Sequence, residues 1–239
     1  EIFVQPASGD DGVTFGACLL AYKKHKGSLI PKKMHDFYKG PEASINSIEK
    51  AILNSNIKFD KPKDIYKATA EQLKKGKIVA WFQGGAEFGP RALGNRSILS
   101  KPFPASMKDH INERVKFREY FRPFAPAVLK EHYEEYFTIK QESPHMLIAC
   151  QVQKDKYDVI PAVVHVDGSC RVQTVGPENN QKFYKLLNSF KELTSIPVLL
   201  NTSFNVKGQP IVNTPEQAIE TFNSTNIDCL VIGDFIAVK

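Results

Sequence analysis

The last third of the chain constrains the fold most. Phe183, Leu186, Leu187, Phe190 and Leu193 recur at helical spacing, so residues 183–193 predict a helix with one apolar face. Ile196–Leu200 is a short apolar run that predicts a buried strand, ended by Asn201-Thr202-Ser203. Thr214-Pro215-Glu216-Gln217 predicts a second helix, with proline at its first position and Thr214 and Gln217 at capping-box spacing. Asp228–Ile232 predicts another strand. Alternating helices and strands point to an α/β architecture with a mixed sheet.

The same grammar extends upstream. Residues 66–75 predict a helix stopped by Gly76, and Lys77–Phe82 predicts a strand. Met107–Val115 predicts a helix with Ser106 as its N-cap. Val159–Val166 predicts a strand, Asp167-Gly168 a hairpin turn, and Arg171–Val175 the return strand. Before the body, Val13–Tyr22 predicts a helix, and residues 23–64 predict a Lys-rich linker with one short helix at Ile45–Leu53. The first residue is not Met, and Glu1-Ile2-Phe3-Val4 reads as the middle of something longer.

At 239 residues and 42% hydrophobic content, the chain can bury a core as one large domain or two unequal ones. No apolar run approaches a membrane span, so no membrane partner is expected. Cys18, Cys150, Cys170 and Cys229 form no CxxC pair. Zinc is therefore not expected, and a reduced, cytoplasmic setting is.

Net charge is +6, and residues 91–122 hold eight cations against three acids. Such a cluster attracts an anion. Leading into it, Gly84-Gly85-Ala86-Glu87-Phe88-Gly89-Pro90-Arg91-Ala92-Leu93-Gly94-Asn95-Arg96 sets two planar guanidinium forks among four glycines. It is neither a P-loop nor a dinucleotide fingerprint. The alternative is a structural turn with surface arginines. Lys116-Phe117-Arg118 and Phe121-Arg122-Pro123-Phe124 interleave cations with aromatics. On a strand, Lys116 and Arg118 would share a face with an anion between them. The pattern also suits nucleic-acid binding. His165 beside the Asp167-Gly168 turn is a base, a ligand or a hydrogen-bonded structural residue, and Arg171 can reach over the sheet end. Asn201 and Ser203 follow a strand at its carboxyl end, where open α/β sheets bind ligands. A plain Asx or Ser/Thr turn is the other reading.

Several of these strings together resemble the C-terminal part of the carbamoyltransferase family of nodulation and antibiotic-tailoring enzymes. They are EFGPRALGNRSIL, VKFREYFRPFAPAVL, HVDGSCRVQTV, PVLLNTSFNVKGQPIV and TPEQAIETF…DCLVIGDF, spread over residues 77–235. The opening PASGDDGVTFGACLLAY resembles the end of the family's N-terminal domain. Gly85-Ala86 stands where the family commonly has Arg-Met.

The resemblance implies a YrdC-like twisted mixed sheet with flanking helices over residues 65–239. It implies a linker over 26–64, and over 1–25 the tail of an actin-like ATPase (Kae1-like) domain. It implies that the YrdC-like part binds carbamoyl phosphate and ATP, with Mg2+, and forms carbamoyl-adenylate, whose carbamoyl group then passes to a hydroxyl acceptor that the residues do not identify. On the matching positions, Lys116 and Arg171 take the catalytic role. Arg91, Arg118, Arg122, Asn201 and Ser203, with Met146 on the wall and Arg96 beside them, bind substrate. Asp10 matches a metal-ligand position for iron or another divalent ion in the preceding domain. Its two histidine partners are not in this chain, so Asp10 alone should not hold the ion firmly. A homodimer is compatible with this reading. The competing reading is an RNA-binding module of the same fold, with nucleic acid the less favoured partner.

Overall fold

The computed structural model describes residues 2–28 and 37–239. Its centre is a seven-stranded mixed sheet of order β6-β3-β7-β2-β1-β8-β9. The strands are β1 (Val79–Phe82), β2 (Arg96–Ser100), β3 (Ala125–Leu129), β6 (Gln173–Val175), β7 (Val198–Ser203), β8 (Cys229–Ile232) and β9 (Phe235–Val238). β1 runs parallel to β8, and β3 parallel to β6. The other neighbours are antiparallel. A separate two-stranded ribbon joins β4 (Ala149–Gln151) to β5 (Ser169–Arg171).

Strand alternation divides the core into two layers. Ala80, Phe82, Ile98, Val128 and Leu200 face one side, where Ile48 and Ala51 of α2 (Ile45–Leu53) and Ala218 and Phe222 of α7 (Pro215–Ser224) cover them. Val79, Trp81, Leu99, Ala127 and Leu199 face the other, under Ala70 and Leu73 of α3 (Ile65–Lys74) and Phe183, Leu186, Leu187 and Phe190 of α6 (Gln181–Thr194). Helices on both faces explain why β1 and β8 are apolar throughout rather than alternating with polar residues. α2 packs on α7, and Asp60 bridges to Ile236, so much of the stretch expected as linker lies against the sheet.

Local signals account for the helix ends. Gly76 adopts φ +85 one residue past the cap of α3, as its C′ position requires. Thr214 and Gln217 form the full capping box of α7. Replacing Thr214 with alanine removes one member and is expected to cost about 1 kcal/mol, read as a lower denaturant midpoint at unchanged slope.

Five local expectations need correction. α4 covers only Met107–Ile111 and passes into a π-helical turn over Asn112–Lys116; Ser106 is helical itself and makes no side-chain cap. Lys116, Phe117 and Arg118 are not on a strand, because Phe117 turns left-handed at φ +46. Residues 159–166 are not a strand either, since Pro161 starts a 3-10 turn at Pro161–Val163. The turn at 165–168 is present, closed by Gly168 N–H donating to His165 O at 2.9 Å. The strand after it splits at Val172, however: β5 pairs with β4, and β6 joins the main sheet. Finally, Asn201-Thr202-Ser203 continues β7 rather than ending it.

The N-terminal segment carries α1 (Val13–Lys26), none of whose residues is buried. No helix among the described residues is long and apolar enough to cross a membrane.

Candidate anion site at the end of the sheet

The carboxyl end of β7 lies between the starts of β2 and β3: Ser203 opposes Ser97, and Asn201 opposes Ala125. The glycine-rich loop leads into β2 and residues 117–124 lead into β3. Both cation-bearing loops therefore converge on one sheet edge.

A buried carboxylate organises the glycine loop. Glu87 Oε1 accepts hydrogen bonds from the backbone N–H groups of Leu93 (2.7 Å), Asn95 (2.8 Å) and Arg96 (3.2 Å). Burial pushes its pKa up, against the opposite pull of these N–H donors. Gly94 cannot be another residue: its φ is +102, and a Cβ would stand 2.2 Å from the Phe183 ring. Its carbonyl accepts from Trp81 Nε1 at 2.9 Å, tying the loop to the core.

Arg96 belongs to this scaffold and not to the wall of a site. It is fully buried, stacks 3.7 Å over the Phe82 ring, and donates to Gln83 O (2.6 Å), Asn95 O (3.1 Å) and Pro41 O (3.1 Å). Desolvation lowers its pKa to about 10.

Arg91 behaves differently. Its Nε and that of Arg171 are buried and have no hydrogen-bond partner among the described residues. The two side chains are also close enough that the Arg91 charge, after burial, lowers the Arg171 pKa. Two half-buried guanidinium groups close enough to repel are unfavourable unless something negative lies near them. Asn201 sits nearby, donating to Ala92 O (3.1 Å) and Gln173 Oε1 (2.8 Å), while its own Oδ1 is buried and unpartnered among the described residues. Met146, at φ +56, packs with Leu93 and Ala125 and closes the apolar side. Tyr38 and Gln173 both donate to Leu93 O at 2.9 Å, fixing the loop from two directions.

The second cation group lies at Ser203. Lys116 Nζ meets Ser203 O (2.8 Å), Ser203 Oγ (3.3 Å), Asn205 O (2.8 Å) and Asn205 Oδ1 (2.8 Å). Burial first, then the Arg118 and Arg122 charges, pull its pKa down to about 7. Arg118 is held by Asn112 Oδ1 (2.7 Å) and stacks 4.6 Å from the Phe124 ring centroid. Arg122 is exposed and meets Glu119 at 4.0 Å.

The sequence of residues 70–239 matches the family described as carbamoyltransferase C-terminus. The chain belongs to the carbamoyltransferase family. It is 41% identical to nodulation protein NolNO of Sinorhizobium fredii, over 100% of this chain and 36% of that protein. It is 34% identical to the 3'-hydroxymethylcephem-O-carbamoyltransferase of Streptomyces clavuligerus, over 98% of this chain and 43% of the relative. The chain thus spans less than half the length of these curated relatives. Among solved structures it is similar to full-length HypF in a phosphate- and nucleotide-bound form, at a TM-score of 0.48 and 20% identity, over 72% of this chain and 21% of that one.

Within this carbamoyltransferase region the site residues read from sequence fall into two groups on one sheet edge. Arg91, Arg171, Asn201 and Met146 cluster at the glycine loop. Lys116, Arg118, Arg122 and Ser203 cluster where residues 117–124 enter β3. His165 hydrogen-bonds Ser169 Oγ (3.1 Å), and burial lowers its pKa, which fits the structural reading. Asp10 lies in an exposed 3-10 turn, and no group of three or more His, Cys, Asp and Glu among the described residues could hold a metal. The described residues do not by themselves fit a metal centre. Sequence reasoning missed Glu87, Asn112, Gln173 and Asn205 as organisers. Only Glu87 carried a signal, as the lone carboxylate inside a run rich in glycine and arginine.

Proposed function

We propose that this chain is the carbamoyl phosphate- and ATP-binding part of an O-carbamoyltransferase. The supporting observation is the pair Arg91 and Arg171, whose like charges act on each other and whose buried Nε groups have no acceptor among the described residues. A phosphate group offers several acceptor oxygens and would neutralise both forks at once. Residues 65–239 form the YrdC-like unit of this reading, residues 26–64 the connection to it and residues 1–25 the tail of the preceding actin-like ATPase domain, in a cytoplasmic protein.

In the proposed chemistry, carbamoyl phosphate gives up phosphate to water. The resulting carbamate oxygen attacks the α-phosphorus of ATP, and pyrophosphate leaves; a Mg2+ ion arriving with the nucleotide would neutralise part of its charge. Arg91 and Arg171 hold the phosphate as it departs, and Lys116 with Arg118 sets the positive potential for the nucleotide phosphates. Catalysis of this type is positioning and charge stabilisation, which rigid, desolvated cations supply. The remainder of the enzyme would then transfer the carbamoyl group to its hydroxyl acceptor.

Isothermal titration of the chain with carbamoyl phosphate tests the assignment. Saturable one-site binding, competed by inorganic phosphate, is expected. Absence of heat at millimolar ligand, alongside tight and steeply salt-dependent retention of RNA on a filter, would replace it with the nucleic-acid reading.

A further inference from the structure

The ribbon that carries Arg171 holds a second feature that anion binding does not use. Cys150 on β4 and Cys170 on β5 are direct cross-strand partners, with Sγ atoms 3.9 Å apart. Directly opposed residues of an antiparallel pair have Cα atoms about 4.5–5.5 Å apart, inside the span that a disulfide bridges. The other two cysteines have no such partner: Cys18 is exposed on α1, and Cys229 is buried in β8. Exposure is unequal within the pair, since Cys150 is partly accessible and Cys170 is fully buried.

We propose that Cys150 and Cys170 are a reversible dithiol–disulfide site, opened and closed by exchange with a small-molecule disulfide such as oxidised glutathione.

Accessibility sets the order of events. The Cys150 thiolate attacks one glutathione sulfur, forming a mixed disulfide and expelling one glutathione thiolate. Cys170 then attacks the Cys150 sulfur, and the second glutathione leaves. Two protein thiols are oxidised and one glutathione disulfide is reduced, with the two protein protons carried off on the two released thiols. A hydrogen bond from Cys170 lowers the Cys150 pKa, and the same contact together with burial raises that of Cys170. Cys150 is therefore the entry thiol and Cys170 the resolving one. A pair of this kind in a reducing compartment is transient and sensing rather than structural.

Closure has a consequence that rests on the function proposed above. Bringing the sulfurs from 3.9 Å to about 2 Å turns the Cys170 side chain toward β4 and fixes β5 there, and Arg171 is the next residue after Cys170. Misplacing one charge-assisted contact is expected to raise the Kd for carbamoyl phosphate roughly tenfold.

The test is peptide mapping of the whole chain after incubation with oxidised glutathione. A 150–170 cross-linked peptide pair, restored to free thiols by dithiothreitol and absent in Cys150→Ser, is the expected result. Stable glutathione on Cys150 with Cys170 still free would overturn the proposal, as would reaction confined to Cys18. Carbamoyl phosphate titration of the same oxidised and reduced samples reads the coupling to Arg171. Equal affinity would refute that coupling. A lack of binding by both samples would refute the proposed function instead, and the mapped disulfide would stand independently.

Discussion

Arg171→Ala is expected to weaken carbamoyl phosphate binding by roughly 10- to 150-fold, the loss of about 1.5–3 kcal/mol for a hydrogen bond to a charged group. The same substitution should leave the melting temperature unchanged or raise it slightly. The sign follows from the surroundings: Arg171 lies beside Arg91, and its Nε meets no acceptor among the described residues. Deleting it removes a like-charge repulsion and a desolvated donor. An arginine that held the fold together would show the reverse, with stability falling and affinity following only through unfolding. Arg171→Lys sharpens the comparison, because it keeps the charge but loses the planar fork. It should recover part of the affinity and none of the two-pronged geometry. Titration calorimetry and thermal melting on the three proteins decide the matter. A fall in stability with undiminished affinity would remove Arg171 from the site.

Contrasts like that between Arg171 and Arg96 mark how far the sequence was legible. Both stand in motifs that invite an anion. Arg96 is consumed inside the protein by backbone carbonyls of residues 41, 83 and 95 and by the Phe82 face. Those partners come from separate segments, and no local pattern reveals which arginine they claim. The helices were readable because their signals are local: the apolar face of α6, the capping box of α7 and Gly76 after α3 each lie within a few residues. Neither β2 nor β3 is predicted by the local pattern. β2 begins with a buried arginine, and β3 contains Pro126, which argues against a central strand. The structure tolerates Pro126 because the β6 ladder starts only at Ala127. The opposite error occurred at residues 159–166, whose apolar run resembles a strand until Pro161 coils it. In the site, the residue types that bind anions were visible. The groups that aim them were not, since Lys116 and Asn205 meet across 89 positions of chain.

That Lys116–Asn205 contact leads to the largest stability effect expected here. Lys116→Met keeps the stem and deletes the ammonium, leaving the oxygens of Ser203 and Asn205 without their donor. Leaving buried acceptors without their donor costs about 1–3 kcal/mol. For a chain of this size that corresponds to a melting temperature lower by roughly 2–4 °C per kcal/mol. The cost should depend on pH in a defined direction. Burial and the neighbouring arginines bring the Lys116 pKa from 10.5 to about 7 in the fold. Between those values the unfolded chain binds a proton that the folded chain lacks, so the wild-type contribution grows as pH rises through that window and fades as pH falls toward 7. Lys116→Met lacks this contribution, and its deficit should therefore be larger at pH 9 than at pH 6. Binding reports on the same group. An arriving phosphate favours the ammonium, so at pH 8 wild-type protein should take up a proton with its ligand, seen as different binding heats in buffers of different ionisation enthalpy. Lys116→Met should lose that uptake along with much of its affinity. Equal melting deficits at both pH values, with no buffer dependence in the wild type, would mean that Lys116 stays charged throughout and serves the 203–205 turn alone.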